Sequence, residues 1–156
     1  LAKAITANLA VTTADAQLFA DDAVDETVSQ FVSGTVTVGA NDLTPENQAL
    51  VLGQTIGADG ILYAGSEDSP PYGAIGFRAK KPSGQFLYVW LLKARFKVPS
   101  ESYETKGSAI NFHTPSLEAD FITRKLDNNW RAQYVGDESD VKAAQWFNAV
   151  PVPTEV

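Results

Sequence analysis

The chain holds one histidine and no cysteine. Any Ser-His-Asp arrangement would have to use His113, which sits in Asn111-Phe112-His113-Thr114-Pro115 with no Gly-x-Ser-x-Gly elbow nearby, so a loop or interface histidine is the plainer reading. Without cysteine there is no thiol nucleophile, no disulfide framework and no thiolate ligand, and a lone histidine cannot complete a zinc or copper site. The carboxylates Asp21, Asp22, Asp25 and Glu26 cluster, yet they lack the Asp-x-Asp-x-Asp-Gly spacing of a calcium loop and read as a solvated acidic stretch. A carboxylate pair for glycoside hydrolysis would have to come from distant positions, and nothing in the chain selects one. Gly53, Gly57 and Gly60 are followed by no Gly-Lys-Ser/Thr and fit turns better than a phosphate loop. The inventory of residue types therefore points to no catalytic centre, no metal and no cofactor.

Charge carries more information. Residues 1–77 hold ten acids and one base (Lys3), formally −9, and residues 78–156 hold nine acids and eleven bases, formally +2, which together give the net −7. From Ser69 to Ser100 there are six bases, Arg78, Lys80, Lys81, Lys93, Arg95 and Lys97, and no acid. Such asymmetry points to a partner. Nucleic acid is one candidate, since Arg78, Lys80 and Lys81 beside Phe77, with Tyr88 and Trp90, have the composition of a single-strand stacking platform. The rings, however, fall on the inward parity of a strand, and a sequence pI near 4.6 argues against a duplex binder. A second copy of the chain fits better, because a head-to-tail contact joins two different patches of one protein. Reversing Lys93, Arg95 and Lys97 to Glu is expected on this reading to leave the fold intact and block assembly.

The elements that must position these residues read mainly as strands. At 156 residues the chain suits one domain, here residues 1–150, followed by an extended tail over 151–156 imposed by Pro151 and Pro153. No apolar run approaches the ~20 residues a helix needs to span a bilayer. Residues 4–12 alternate with period two, and residues 26–38 do so again, placing Val28, Gln30, Val32, Gly34, Val36 and Val38 opposite Phe31 and its neighbours. Between them, residues 14–25 read as a short strand leading into an acidic loop. Thr44-Pro45-Glu46 opens a helix of about two and a half turns that Gly53 stops, with Leu43, Ala49, Leu50 and Leu52 as its apolar face. Asp59-Gly60 marks a turn, and Lys81-Pro82-Ser83-Gly84 joins strands 72–80 and 85–98 into a hairpin. In that second strand the even positions from Phe86 to Val98 are all apolar, whereas the odd ones begin apolar (Leu87, Val89, Leu91) and end basic. The odd apolar trio needs cover from a second layer, the helix or another subunit. Residues 99–114 form a polar insert long enough to make contacts, notably through Glu101, Tyr103, Glu104 and Lys106. A last hairpin, 117–125 with 130–135, turns at Asp127-Asn128-Asn129, and Ser139 caps a terminal helix over 140–148 with Val141, Ala144 and Phe147 on one side. The fold class is thus mainly β, an antiparallel β-sandwich or barrel with one short flanking helix and a C-terminal helix.

Several stretches in this order and spacing resemble a known family. They are Phe19-Ala20-Asp21-Asp22-Ala23-Val24-Asp25-Glu26-Thr27, Asn41-Asp42-Leu43 with Leu52-Gly53, Gly57-Ala58-Asp59-Gly60, and Pro71-Tyr72-Gly73-Ala74-Ile75-Gly76-Phe77-Arg78. Tyr88-Val89-Trp90-Leu91-Leu92-Lys93 and Tyr103-Glu104-Thr105-Lys106 with Phe112-His113-Thr114-Pro115 complete the set. Over nearly its whole length the chain resembles the major tail protein, or tail tube protein, of bacteriophages with long non-contractile tails. The resemblance implies a virion structural protein without enzyme activity, made in the host cytoplasm, whose hexameric rings stack into the tube through which DNA leaves. It also implies further residues before Leu1. DNA would then be a passing partner, other tail proteins and copies of the chain the lasting ones, with no membrane involved. Within a tube, Asp21, Asp22, Asp25 and Glu26 become candidates for the lumen or an interface, and the six bases with residues 99–114 candidates for subunit contacts. Two other readings stand beside it: the inner tube of a contractile injection machine, and a carbohydrate-binding β-sandwich that stacks sugars on Trp130, Tyr134 and Trp146.

Overall fold

A computed structural model describes residues 4–20, 23–40, 43–99 and 116–153. The chain is mainly β, with a curled antiparallel sheet and two short helices. In chain order the elements are β1 (Ala4–Ala20), β2 (Ala23–Ala40), α1 (Pro45–Leu52), β3 (Thr55–Ile56), β4 (Leu62–Tyr63), β5 (Tyr72–Lys80), β6 (Phe86–Phe96), β7 (Ser116–Phe121), β8 (Arg131–Gly136) and α2 (Val141–Gln145). The main sheet runs β1-β2-β7-β6-β5, with β8 also paired to β6, while β3 and β4 form a separate two-stranded ribbon.

The strand β6 organises this sheet. One edge pairs with β5, and the other is shared end to end by β8, opposite Phe86–Leu91, and β7, opposite residues 94–96. The expected hairpin of residues 117–125 with 130–135 is therefore corrected: β7 and β8 do not pair with each other but lie in line, both antiparallel to β6. The excursion between them is closed on itself, with Arg124 N donating to Asn129 O at 2.8 Å and Asn128 in the left-handed region at φ 55°. It bulges out and resumes its direction, so no reversal occurs.

Two β-bulges decide which residues form the core. Between the pairs Ile75↔Leu91 and Gly73↔Ala94, two residues of β6, Leu92 and Lys93, answer one of β5, Ala74. The extra residue inverts the parity. Leu91 and Ala94 thus share one fully buried cluster with Val36, Ala119 and Phe121, against which Phe31, Ile75, Phe77 and Trp130 pack. The expected all-even apolar face is corrected accordingly: on β6 the odd residues before the bulge join the even ones after it. A similar irregularity at Ser33/Phe31 turns Phe31 into the core and leaves Val32 52% exposed. The cover for Leu91 comes from the curl of the sheet itself.

The opposite face of β6 carries a second, aromatic layer. Tyr88, buried, lies 6.2 Å from the Tyr134 ring and 6.1 Å from that of Phe147, and the Trp90 indole donates to Trp146 O at 3.0 Å. This layer is roofed by α2 and the residues after it. The helix is one turn, shorter than the expected 140–148, and its N-cap is Asp140 instead of Ser139. Asp140 Oδ2 accepts instead from Tyr134 Oη at 3.0 Å and Asp137 N at 3.1 Å, and Ala143 is the helix residue that buries, while Val141 and Ala144 face solvent.

The first helix follows its caps. Thr44 Oγ1 accepts from Asn47 N at 3.4 Å, Pro45 opens the first turn, and Gly53 ends it at φ 70°. Its buried face is Val51 and Leu52, packed with Leu43 on Leu117 and Phe96; Leu50, expected to point inward, is 66% exposed. The Asp59-Gly60 turn also forms, Asp59 accepting from Ile61 N at 3.1 Å and from Tyr63 Oη at 2.9 Å. Those two donors hold the Asp59 carboxyl below its ordinary pKa, the backbone bond first.

Candidate subunit-contact surfaces

The six bases expected to meet a partner fall on one hairpin, β5–β6, but most are occupied within the chain. Arg78 Nη1 donates to Glu138 Oε1 at 2.7 Å, and its guanidinium lies 4.8 Å from the Phe86 ring centre. Lys97 Nζ sits between Glu118, at 2.5 Å, and Asp120, at 2.9 Å, two acids of the neighbouring β7. Arg95 Nε donates to Pro70 O at 2.7 Å and Nη2 to Ser69 Oγ, while Lys93 and Arg95 both lie over Tyr72. The bond to Glu138 raises the pKa of Arg78, and bonds to Glu118 first and Asp120 second raise that of Lys97. These pairs are exposed, and exposed pairs contribute only about 0–1 kcal/mol each. Their consequence is geometric: the cations are held against the sheet.

Lys80 and Lys81 differ. They stand at the end of β5 and in the turn that follows, both exposed, and neither makes an ion pair among the described residues. The turn is well built, with Lys81 N donating to Gln85 O at 2.8 Å and Gly84 at φ 91°. Two cations are thus presented on a firm support. Of the other sequence-derived candidates, Asp21, Asp22, Glu101, Tyr103, Glu104 and Lys106, like His113, lie outside the described residues. Asp25, expected in an acidic loop, lies within β2, as does Glu26, because β1 and β2 pair as far as Ala20 and Ala23, with one register shift between Leu18 and Phe19.

The sheet has open edges. Among the described residues β1 pairs only with β2, and β5 only with β6. From Thr6 to Asp15 the side chains of β1 are exposed apart from Ala7, and Leu9 and Val11 are among them. Each edge is a row of backbone donors and acceptors able to pair with another strand.

A third feature escaped the sequence reading. Arg124 grips Asp127 with two parallel bonds, Nε to Oδ1 at 3.1 Å and Nη2 to Oδ2 at 2.5 Å, and Nη2 also reaches Pro151 O at 3.1 Å. The guanidinium therefore ties the excursion between β7 and β8 to the chain end. It also holds the Asp127 carboxyl far below the usual carboxylate range. Arg-x-x-Asp ahead of Asn-Asn was the local signal, since Asp127 Oδ1 accepts from Asn129 N at 3.2 Å in a turn of the Asx kind. Beside this clasp lies an open groove of about 420 Å³ lined by Arg131, Tyr134, Lys142, Trp146 and others. Asp127 is its carboxylate, already paired, so the groove offers no second acid for proton transfer.

The three aromatic residues considered as sugar platforms already have company. Trp130 stacks on Phe31 at 4.5 Å with Arg131 4.6 Å from its ring centre, and Tyr134 stacks on Trp146 at 5.8 Å with Lys142 at 5.2 Å. Comparisons with protein-family models, with curated proteins and with solved structures return no match for the chain.

Proposed function

We propose that the chain is the building block of a tube, a major tail protein of the kind its sequence resembles, which acts by binding copies of itself in hexameric rings that stack. The observation that carries this reading is the pair of open edges on one sheet. The β1 edge and the β5 edge have different sequences and lie at opposite ends of the strand order, so joining one to the other is a heterologous contact. Contacts of that type close into rings or run on as filaments. Continuation of the sheet across copies would cover both edges, which natural sheets otherwise protect with bulges, charges or short strands.

The charge distribution supports the same reading. DNA carries roughly one negative charge per 1.7 Å of its axis, and a basic bore would hold it by releasing counterions, whereas an acidic bore lets it slide. The acid-rich first half, formally −9, is the source from which such a lining would come. Electron microscopy of the purified, concentrated protein tests the proposal: rings with a hollow centre, stacking into tubes with an acidic inner wall, are expected. Single compact particles at every concentration, or a tube with a basic inner wall, would overturn it, the second on the lining alone.

A further inference from the structure

The sheet has a third open edge, at β8. This strand pairs with residues 86–91 of β6, and among the described residues no strand stands on its other side. Leu92 N donates to Trp130 O at 3.0 Å, which sets the alternation of the ladder. Ala132, Tyr134 and Gly136 therefore exchange bonds with β6, while Arg131, Gln133 and Val135 turn their N–H and C=O groups to the free side. No backbone bond among the described residues reaches them there. At about 3.3 Å per residue, Arg131 to Val135 spans about 13 Å, long enough for a peptide of four or five residues to pair.

The groove of about 420 Å³ beside the Arg124 clasp lies against this strand, for Arg131, Gln133 and Tyr134 line it. Pro151 and Pro153 line it too, and having no N–H they offer the free carbonyls of β8 no donor. Two cations of the lining make no ion pair among the described residues: Arg131, in register with buried Leu91, and Lys142, 5.2 Å from the Tyr134 ring. Arg124 and Asp127 cancel, so these two leave the lining at a formal +2 in a chain of net −7. Trp146, in the same lining, keeps a buried indole N–H without an acceptor among the described residues. The site thus asks for an occupant with a strand's backbone and negative side chains. Among the described residues the chain's own adjacent acids are Asp25-Glu26, already paired within β2, and Glu67-Asp68 and Asp137-Glu138, held at turns, so another protein is the source. We propose that the β8 edge takes up an extended acidic segment of a different protein as an added strand, its main chain paired with Arg131, Gln133 and Val135. Successive side chains of a strand point to opposite faces, so acids at adjacent positions meet Arg131 on one face and Lys142 on the other. One copy of the chain suffices for this contact, which is independent of self-assembly.

Fluorescence anisotropy of the full chain with a short labelled peptide tests the proposal. The probe carries fluorescein and two adjacent glutamates among threonines and valines. One control replaces the glutamates with lysines, and another is N-methylated at every amide. The acidic peptide is expected to bind and saturate, and each control to bind about tenfold more weakly, the first through like charge and the second through lost main-chain bonds. Gln133→Pro removes an N–H of the free side and spares the ladder to β6, a place where an edge tolerates proline. Arg131→Glu with Lys142→Glu reverses both cations. Each variant is expected to weaken binding about tenfold with its far-ultraviolet circular dichroism unchanged. No saturable binding of the acidic peptide, equal binding of either control, or an affinity untouched by the charge reversals would overturn the added strand. Displacement of the peptide as the protein is concentrated would overturn it as well, since copies of the chain would then hold the edge.

Discussion

One hairpin contains two physically different halves. Near the sheet, β1 and β2 are clamped: Val36 is buried, and Gly34 lies so close to Phe121 that an added Cβ would come within 2.1 Å of the ring. Farther out, the same two strands continue from Ala14 and Gln30 as a ribbon, paired with each other and with no other strand among the described residues. The difference lies in which strands stand beside the pair, and it teaches that a strand's period reports its backbone while its neighbours decide its stability. A segment with a single neighbouring strand is where a partner is most useful.

The largest expected effect falls on the clamped half. Phe121→Ala removes a fully buried ring that stacks at 5.6 Å on Trp130 and 5.9 Å on Phe31, and such truncations cost about 3–5 kcal/mol. Urea denaturation followed by tryptophan fluorescence should report it, whereas Gln30→Ala in the ribbon should move the curve by no more than about 0.5 kcal/mol. A ribbon change as costly as the core change would erase the contrast.

A smaller effect is expected at the clasp. Arg124→Ala frees Asp127 and Pro151 together, and a fall in melting temperature of roughly 2–4 °C is expected for a chain of this size. Asp127 also gives the clasp a pH dependence. Its folded pKa is depressed, so its contribution is complete above the unfolded value of about 3.9 and is lost as pH falls toward the folded one. Acid melts of the unaltered protein should therefore lose stability below about pH 4, and Arg124→Ala should lose less there. Identical acid slopes for the two proteins would show that the clasp contributes nothing.

Local chemistry made some of this architecture legible from sequence. Thr44, Pro45 and Gly53 set the ends of α1, Asp59-Gly60 and Ser83-Gly84 set their turns, and each acts within a few residues of itself. What escaped was non-local. A period of two counts residues, and the bulges near Val32 and between Leu91 and Ala94 insert one, so a single parity cannot describe one face on both sides of them. The end-to-end sharing of β6 by β7 and β8 depends on the length of β6, not on the turn residues that suggested a hairpin. Charge counting found the basic hairpin, but the acids that hold Lys97 and Arg78 lie 21 and 60 residues away. For that reason reversing Lys93, Arg95 and Lys97 together is no longer a clean assembly test: Glu at position 97 would face Glu118 and Asp120 and strain the fold as well. Lys80 and Lys81 serve better.

Hydrogen exchange, comparing dilute protein with protein concentrated enough to assemble, tests the central claim most directly. In dilute protein the amides of residues 14–20 and 23–30 are expected to exchange far faster than those of residues 34–39, because local opening is easier where a pair of strands has no third strand beside it. On assembly the ribbon and the outer edge of β1 should gain protection while the clamped half stays as it was. A ribbon already as protected as the core in dilute protein, or one unchanged by concentration, would contradict the claim that a second copy completes this fold.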